Sequence, residues 1–124
     1  MMTAVVAVGV ALAGGLGAGT RYVVDALITA RWQGRLPVAT LTINAVGSLL
    51  LGLLTGWAGE VHPVVRHIVG VGFLGGFTTF STASVELVRL VLAKRPVEAL
   101  GLGLLMIVLS LAAAALGVWL GARG

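Results

Sequence analysis

Four long apolar stretches alternate with short polar connections along the chain, and this pattern predicts four membrane-spanning helices. The stretches cover residues 4–28, 38–58, 64–93 and 97–120. Each can supply the roughly 20 mainly apolar residues that a helix needs to cross the hydrocarbon core of a bilayer. The connections are too short to hold a soluble domain. The sequence therefore predicts an all-α membrane protein with a single domain over residues 1–124.

Within the third stretch, residues 72–83 form a poor continuous helix. They combine three glycines, three phenylalanines and four hydroxyl residues in twelve positions. Glycine raises the cost of helical order, and Ser and Thr hydroxyls compete for backbone groups. Backbone that leaves a helix at membrane depth must be satisfied by protein, water or an ion. We expect the third helix to be broken at mid-membrane, although small residues can also serve helix packing alone.

The helix is expected to resume near Ser84 after this break. Ser81 or Thr82 is the expected N-cap of the second half, because a hydroxyl oxygen can accept a hydrogen bond from a free backbone N–H there. Glu86 would then lie near the positive end of the half-helix. Such a helix start favours anions, whereas unwound carbonyl groups favour a cation.

The second stretch carries a polar stripe formed by Thr40, Asn44 and Ser48, which recur every four residues. This spacing places them on one face of a helix. An asparagine in the middle of a membrane span is costly without a partner, so Asn44 is expected to face protein or an aqueous path. A lone asparagine would favour an interhelical hydrogen bond, while three aligned polar groups favour a conduction path.

The first stretch ends in a small-residue surface followed by a charge. Gly15 and Gly19 are four residues apart, a spacing that allows another helix to approach closely. Arg21 can extend to the membrane interface, or it can face a water-filled vestibule and attract anions. Asp25, four residues later, could pair with Arg21 along the same helix face and fix its rotamer.

Composition restricts the function further. The chain has 59% hydrophobic residues, 10% charged residues and no cysteine, and its mean hydropathy is +1.12. Cysteine nucleophiles, thiolate metal sites and disulfides are therefore excluded. The net charge of +4 comes from residues at span ends and connections, which fits interfacial anchoring better than nucleic-acid binding. The sequence shows no recognisable motif that combines a nucleophile, a general base and a group that orients the base, so an enzyme is not expected.

Basic residues are distributed unequally between the two sides of the predicted membrane protein. The first and third connections lie on the same side and carry most of the basic residues, whereas the other side has Arg66 and Arg123. The residues of the first and third connections are Arg31, Arg35, Lys94 and Arg95, with Arg89 nearby. Because positive connections favour the cytoplasm, this asymmetry predicts that both termini lie outside the cell.

Three local patterns in this order resemble the CrcB/Fluc fluoride channel family. The resemblance covers about the first three quarters of the chain, and the third pattern is the most specific. The patterns are Gly15-x-Gly17-Ala18-x-x-Arg21-Tyr22, Thr40-Leu41-x-x-Asn44-x-x-Gly47-Ser48 and Gly72-Phe73-x-Gly75-Gly76-Phe77-Thr78-Thr79-Phe80-Ser81-Thr82.

The resemblance implies a passive, fluoride-selective channel in the cell membrane that lets cytoplasmic fluoride leave the cell and so lowers its toxicity. It also implies a dual-topology dimer of antiparallel subunits with two pores. A sodium ion would be held at the dimer interface by the backbone carbonyl groups of Gly75 and Thr78 from each subunit. The expected partners are thus fluoride, the lipid bilayer and a second subunit.

Residue roles carried over from the resemblance place Thr40 and Asn44 in the pore lining and Arg21 at the vestibule. Phe80 would present its positive ring edge to the anion, since the edge attracts an anion without binding it permanently. Further candidates for the pore lining are the hydroxyl residues Ser81, Thr82 and Ser110.

One position departs from the family pattern. Where the family usually has a second phenylalanine three residues after Phe80, this chain has Ala83. Because the resemblance implies one such ring from each subunit in each pore, a homodimer would lack it in both pores. Together with the unequal distribution of basic residues, this favours an oppositely oriented paralogous subunit that supplies the ring in one pore. A homodimer that tolerates Ala83 and a non-conducting scaffold subunit remain alternatives.

A small proton-coupled multidrug exporter is the main rival from another class, because it also has four spans and forms dimers. Its mechanism requires a titratable carboxylate deep in the membrane. The acidic residues here are Asp25, Glu60, Glu86 and Glu98, all predicted at span ends or in connections. The sequence therefore lacks the carboxylate deep in the membrane that the mechanism of such an exporter requires.

Overall fold

The structure, a computed structural model, describes residues 2–32, 37–57 and 63–123. All regular structure in these residues is helical. The helices are α1 (Met2–Arg31), α2 (Val38–Gly56), α3 (Pro63–Arg66), α4 (Gly75–Phe77), α5 (Phe80–Leu92) and α6 (Pro96–Arg123), with a π-helical segment over His67–Leu74 between α3 and α4.

Four spans in the described residues are long and apolar enough to cross a membrane. Three of them are single helices, and the third span, Pro63–Leu92, contains α3, the π-helical segment, α4 and α5. The prediction of four spans is confirmed, and the bounds of the first and last spans differ from it by no more than a turn. Arg35, Glu60 and the predicted end of the second span at residue 58 lie outside the described residues.

The third span is interrupted at Thr78 and Thr79. Helix α4 ends at Phe77, and both threonines are extended, with φ/ψ of −76°/158° and −142°/118°. Helix α5 then begins at Phe80, four residues before the predicted restart at Ser84. The predicted cap is also wrong, because the Thr79 hydroxyl accepts a hydrogen bond from the Thr82 N–H at 3.0 Å. Thr79 precedes the first helical residue, which is where an N-cap must lie.

Helix α1 packs against the π-helical segment and α4 through glycines. A Cβ on Gly17 would overlap the Phe73 carbonyl oxygen, and one on Gly76 would overlap the Gly14 carbonyl oxygen. The prediction that Gly15 and Gly19 form the contact face is wrong for packing within the chain, since a Cβ on either would meet no described atom within 4 Å. The 3.6-residue period places Gly14 and Gly17 on the buried side instead.

Helices α2 and α6 form the most extensive helix pair of the described chain. Two glycines on each helix, four residues apart, lie at their crossing: Gly52 and Gly56 on α2, Gly117 and Gly121 on α6. A Cβ at any of these positions would overlap a backbone carbonyl oxygen of the other helix. Small residues at this spacing allow membrane helices to approach backbone to backbone. The last span is thus attached to α2 through its glycines.

Helix α5 packs on α6 around a small apolar cluster of Leu41, Ala83, Leu102 and Met106. Ala83 is only 9% exposed and belongs to this cluster. Large apolar residues such as Val5 and Leu12 are instead exposed on the outer surface. Exposed apolar side chains of this size suit a protein whose outer surface is surrounded by lipid.

Lys94 makes the tight connection between α5 and α6. Its φ of 63° is positive, and the N–H groups of Lys94 and Arg95 donate to the carbonyls of Val91 and Leu90. This hydrogen-bond pattern is the Schellman motif, which satisfies the last carbonyls of a helix. The motif turns the chain back immediately, so the connection needs no further residues.

Candidate functional site

Asn44 of α2 pairs with the backbone of Thr79 at the interruption of the third span. The Asn44 Nδ2 group donates to the Thr79 carbonyl oxygen at 3.0 Å, and the Thr79 N–H donates to Asn44 Oδ1 at 2.8 Å. Each group of the asparagine amide therefore satisfies one backbone group that has left the helix. Unpaired backbone groups cost several kcal/mol in a membrane, so this pairing stabilises the interruption. The prediction that Asn44 faces protein or an aqueous path agrees with this contact.

At the interruption, two backbone N–H groups donate to side chains instead of to the carbonyl groups that they would bond in a continuous helix. In an α-helix, the Thr79 N–H would bond the Gly75 carbonyl and the Thr82 N–H would bond the Thr78 carbonyl. Here the first donates to Asn44 and the second to the Thr79 hydroxyl. The carbonyls of Gly75 and Thr78 are those that the resemblance assigns to sodium. A hard monovalent cation prefers oxygen ligands of this kind, so the diverted donors fit that assignment.

Phe80 projects away from the subunit as the first residue of α5. It is 87% exposed, whereas the preceding Thr79 is 8% exposed. The contrast follows from the geometry, because the buried Thr79 side chain caps α5 while the next residue turns outward. Phe80 thus offers its ring to whatever covers this face of the chain.

An open groove of about 680 Å³ runs along this face. It brings together the predicted pore residues Asn44, Phe80 and Ser110, which come from three different spans. Ser48 of the predicted polar stripe also lines it, together with hydroxyl residues that sequence reasoning did not assign to the pore, which are Thr78, Thr79 and Ser84. Their hydroxyl groups and the Asn44 amide give the groove polar groups along a wall that is otherwise apolar.

A second cavity, of about 520 Å³, holds the other predicted pore residues, Thr40, Ser81 and Thr82. Thr40 is 2% exposed and its hydroxyl donates to the Glu86 carboxylate. The sequence did not indicate this bond, because Glu86 was predicted only as a charge near a helix start. Glu86 lies six residues after the start of α5 at Phe80, whereas the predicted restart at Ser84 placed it only two residues after a helix start.

This cavity also contains both signs of charge. Its lining includes Asp25 of α1 and Arg89 of α5 beside Glu86. The polar stripe of α2 is therefore divided, because Thr40 faces this cavity while Asn44 and Ser48 face the groove.

Arg21 lies beside the interruption rather than pairing with Asp25. Its Nε group donates to the Gly76 carbonyl oxygen at 3.3 Å, and Asp25 accepts a hydrogen bond from Thr29 at 3.0 Å. The predicted Arg21–Asp25 pair is therefore wrong, since each side chain has another partner. A cation at this place compensates the negative end of the helical segment that stops at Phe77. Its positive charge stays available to an approaching anion, because a carbonyl is a neutral acceptor.

Comparisons with known proteins agree with this architecture. Residues 8–122 match the family model described as "CrcB-like protein, Camphor Resistance (CrcB)". The chain is similar to the fluoride-specific ion channel FluC 1 of Leifsonia xyli, with 48% identity over 97% of this chain and 89% of that protein. It is 40% identical to FluC 2 of Mycobacterium tuberculosis over 96% of this chain and 93% of that protein.

A third relative is the fluoride-specific ion channel FluC 2 of Symbiobacterium thermophilum, which is 42% identical over 93% of each chain. Such similarity extends from the first span to the last and includes the interruption between α4 and α5. The four helical spans, the interrupted third span and a family match over nearly the whole length lead to one identification: the chain belongs to the CrcB family of multi-pass integral membrane proteins.

Proposed function

We propose that the chain is a subunit of a fluoride-selective channel that lets fluoride leave the cell passively. The observation that carries this proposal is similarity over nearly the whole chain to proteins named as fluoride-specific ion channels. The residues of the groove suit such a function. Fluoride is small and strongly hydrated, so its passage requires compact donors in place of water. The second Nδ2 hydrogen of Asn44 and the nearby hydroxyl groups are donors of this size.

Phe80 supports the proposal through its position next to these donors. An aromatic ring is positive at its edge and negative at its face. A ring edge can therefore attract fluoride while binding it too weakly to trap it, which rapid conduction requires. Thr40, Ser81 and Thr82 would then line the approach to the ring, and Arg21 would raise the anion concentration at the vestibule.

A structural sodium ion at the interruption is part of the proposal. The carbonyls of Gly75 and Thr78 are its ligands, because the helical donors that would otherwise occupy them are diverted. Carbonyl oxygens bind a monovalent cation without a carboxylate, and the same groups from a second subunit would complete the site. Bound sodium would join the interrupted spans of two subunits at mid-membrane.

The second subunit is expected to be antiparallel and to cover the groove. Exposed polar groups and Phe80 on this face would otherwise meet lipid, which is unfavourable for the polar groups. Four basic residues lie at one end of the described helices and two at the other: Arg31, Arg89, Lys94 and Arg95 against Arg66 and Arg123. This bias favours termini outside the cell and one fixed orientation.

A fixed orientation favours a paralogous partner that inserts the opposite way. Ala83 supports the same conclusion, because it leaves the apolar cluster beside the groove without an aromatic ring. Several relatives carry the numbers FluC 1, FluC 2 and FluC 3 in their names. A partner with a phenylalanine at the equivalent of Ala83 would restore a ring in one pore.

Fluoride efflux from liposomes tests the proposal. The purified chain is reconstituted alone and together with a paralogous subunit, in sodium, with chloride efflux as the selectivity control. We expect fluoride-selective efflux from the pair, little from the chain alone, and loss of efflux in Phe80→Ile but not in Val5→Ala, an exposed apolar residue at the start of α1. Brisk efflux from the chain alone would contradict the need for a partner. No fluoride efflux from either preparation would contradict the function.

A further inference from the structure

The Asn44 side-chain amide forms hydrogen bonds with both backbone groups of Thr79, as the backbone of a neighbouring β-strand would. The amide donates to the carbonyl and accepts from the N–H of the same residue, Thr79. Thr79 has φ/ψ values of −142° and 118°, within the range of an antiparallel strand. Both backbone groups of Thr79 are therefore directed at one side chain, and a helical Thr79 could not present them together in this way.

Thr78, the residue before Thr79, packs against Gly47, which lies about one turn after Asn44 on α2. A Cβ on Gly47 would overlap the Thr78 methyl group and lie 3.5 Å from Phe77 Cδ2. Asn44 and Gly47 lie on the same face of α2. The Asn44 side chain forms hydrogen bonds with Thr79, and the missing side chain at Gly47 leaves room for Thr78. The extended pair Thr78–Thr79 is thus held from one side by α2.

The consequence of the Asn44 contact extends to the residues on both sides. On one side, the contact withdraws the Thr79 N–H from the Gly75 carbonyl, which then stays available to a cation. On the other side, the extended Thr79 caps α5 and sets the direction in which Phe80 leaves the subunit. If Thr79 were helical, its N–H would donate to the Gly75 carbonyl, and Phe80 would be rotated about the helix axis.

We propose that Asn44 is a positioning residue, which acts on conduction by holding Thr79 extended and thereby fixing both the Gly75 carbonyl and the Phe80 ring. This inference rests on the proposed channel function. It differs from a role as an anion ligand alone, because the Oδ1 atom and one Nδ2 hydrogen of Asn44 are bound to the backbone of Thr79.

The sequence offers unique labels for a direct test. Asn44 is the only asparagine, and Thr78–Thr79 is the only Thr–Thr peptide bond in the chain. Solid-state NMR of the channel in lipid, labelled with ¹³C,¹⁵N-threonine and ¹⁵N-asparagine, therefore gives a single Thr–Thr amide correlation and a single asparagine side-chain amide. We expect Thr79 Cα and Cβ shifts of extended backbone, and one Asn44 Nδ2 hydrogen protected from exchange and correlated with the Thr79 carbonyl. Helical Thr79 shifts, or equal exchange of both Nδ2 hydrogens, would overturn the proposal.

Variants connect this contact to conduction. In Asn44→Ala, the Thr79 shifts should move towards helical values and fluoride efflux should fall by at least about tenfold. Asn44→Asp keeps an acceptor for the Thr79 N–H but places a second acceptor against its carbonyl, so we expect the Thr79 signals to change there as well. Ser48→Ala is the matched control, since Ser48 lines the same groove one turn away, and it should leave the Thr79 signals unchanged.

The outcomes separate this inference from the channel function itself. If efflux falls in Asn44→Ala while the Thr79 shifts stay extended, Asn44 acts as an ion ligand and the positioning role is wrong. If the Thr79 shifts change and efflux does not, the positioning of Thr79 has no bearing on conduction, and the inference is again wrong. Absence of fluoride efflux from the unmodified channel would instead contradict the proposed function, whatever the NMR signals show.

Discussion

Gly117 of α6 faces Gly52 of α2 so closely that a Cβ on Gly117 would lie 3.0 Å from the Gly52 Cα. The same Cβ would overlap the Leu49 carbonyl oxygen, which is backbone and cannot rotate away. The two helices can therefore keep their crossing only while this position has no side chain.

Gly117→Ala is expected to separate α2 from α6. Forcing extra atoms into packed structure costs typically 1–3 kcal/mol, so the free energy of unfolding should fall by about 2 kcal/mol. The matched control is Gly101→Ala on the same helix, where a Cβ would meet no described atom within 4 Å. Reversible unfolding in mixed micelles, followed by circular dichroism, measures both. Equal stability of the two variants would contradict the close crossing.

Thr40→Val is expected to destabilise the chain by about 1–3 kcal/mol, because it leaves a half-buried Glu86 carboxylate without its hydroxyl donor. Thr40→Ser retains the donor and should retain most of the stability. Thr42→Val serves as control, since Thr42 is an exposed threonine on the same helix. The same unfolding measurement applies. A Thr40→Val variant as stable as Thr42→Val would show that the Thr40–Glu86 bond contributes nothing.

Gly47→Ala should be suppressed by a second substitution at Thr78. The added Cβ would overlap the Thr78 methyl group, and Thr78→Ser removes that methyl while keeping the hydroxyl that donates to Leu74. We expect a loss of about 1–2 kcal/mol in Gly47→Ala and recovery of roughly 1 kcal/mol in the double variant. A double-mutant cycle of unfolding free energies measures the coupling. Additive effects would mean that Gly47 and Thr78 are not in contact.

Arg21→Gln tests whether the charge of Arg21 attracts fluoride. Glutamine keeps an N–H donor for the Gly76 carbonyl but removes the charge. One nearby charge in water is worth about 1 kcal/mol, so efflux at low salt should fall roughly two- to fivefold. The difference should shrink near 1 M salt, where screening acts within about 3 Å. A loss independent of salt would indicate a purely structural role.

Arg123→Gln is the control for this prediction. Its guanidinium lies over the Trp119 ring, 4.5 Å from the ring centroid, at the end of α6. Its removal should weaken an interfacial anchor without changing the salt dependence of efflux. A matching salt-dependent loss in both variants would show that net charge, rather than the position of Arg21, governs the rate.

Local sequence properties determined the four spans and the interruption in the third. Length and apolar content select membrane helices without reference to neighbours, and glycines beside hydroxyl residues disfavour a continuous helix around Thr78. The spacing of Thr40, Asn44 and Ser48 likewise indicated a polar face, because helical periodicity is a property of one segment. The family patterns then identified Asn44 and Phe80 as candidate site residues.

Only the tertiary structure decided which partners these residues have. The sequence placed the restart of the third helix near Ser84, but contact with Asn44 and capping by Thr79 fix it at Phe80. It also favoured Gly15 and Gly19 as a packing face, whereas the position of the π-helical segment selects Gly14 and Gly17. A membrane helix can be apolar both where it faces lipid and where it faces a neighbouring helix, so its sequence alone does not reveal which glycine or hydroxyl group makes the contact. That choice depends on how the helices cross, which is a relation between distant segments.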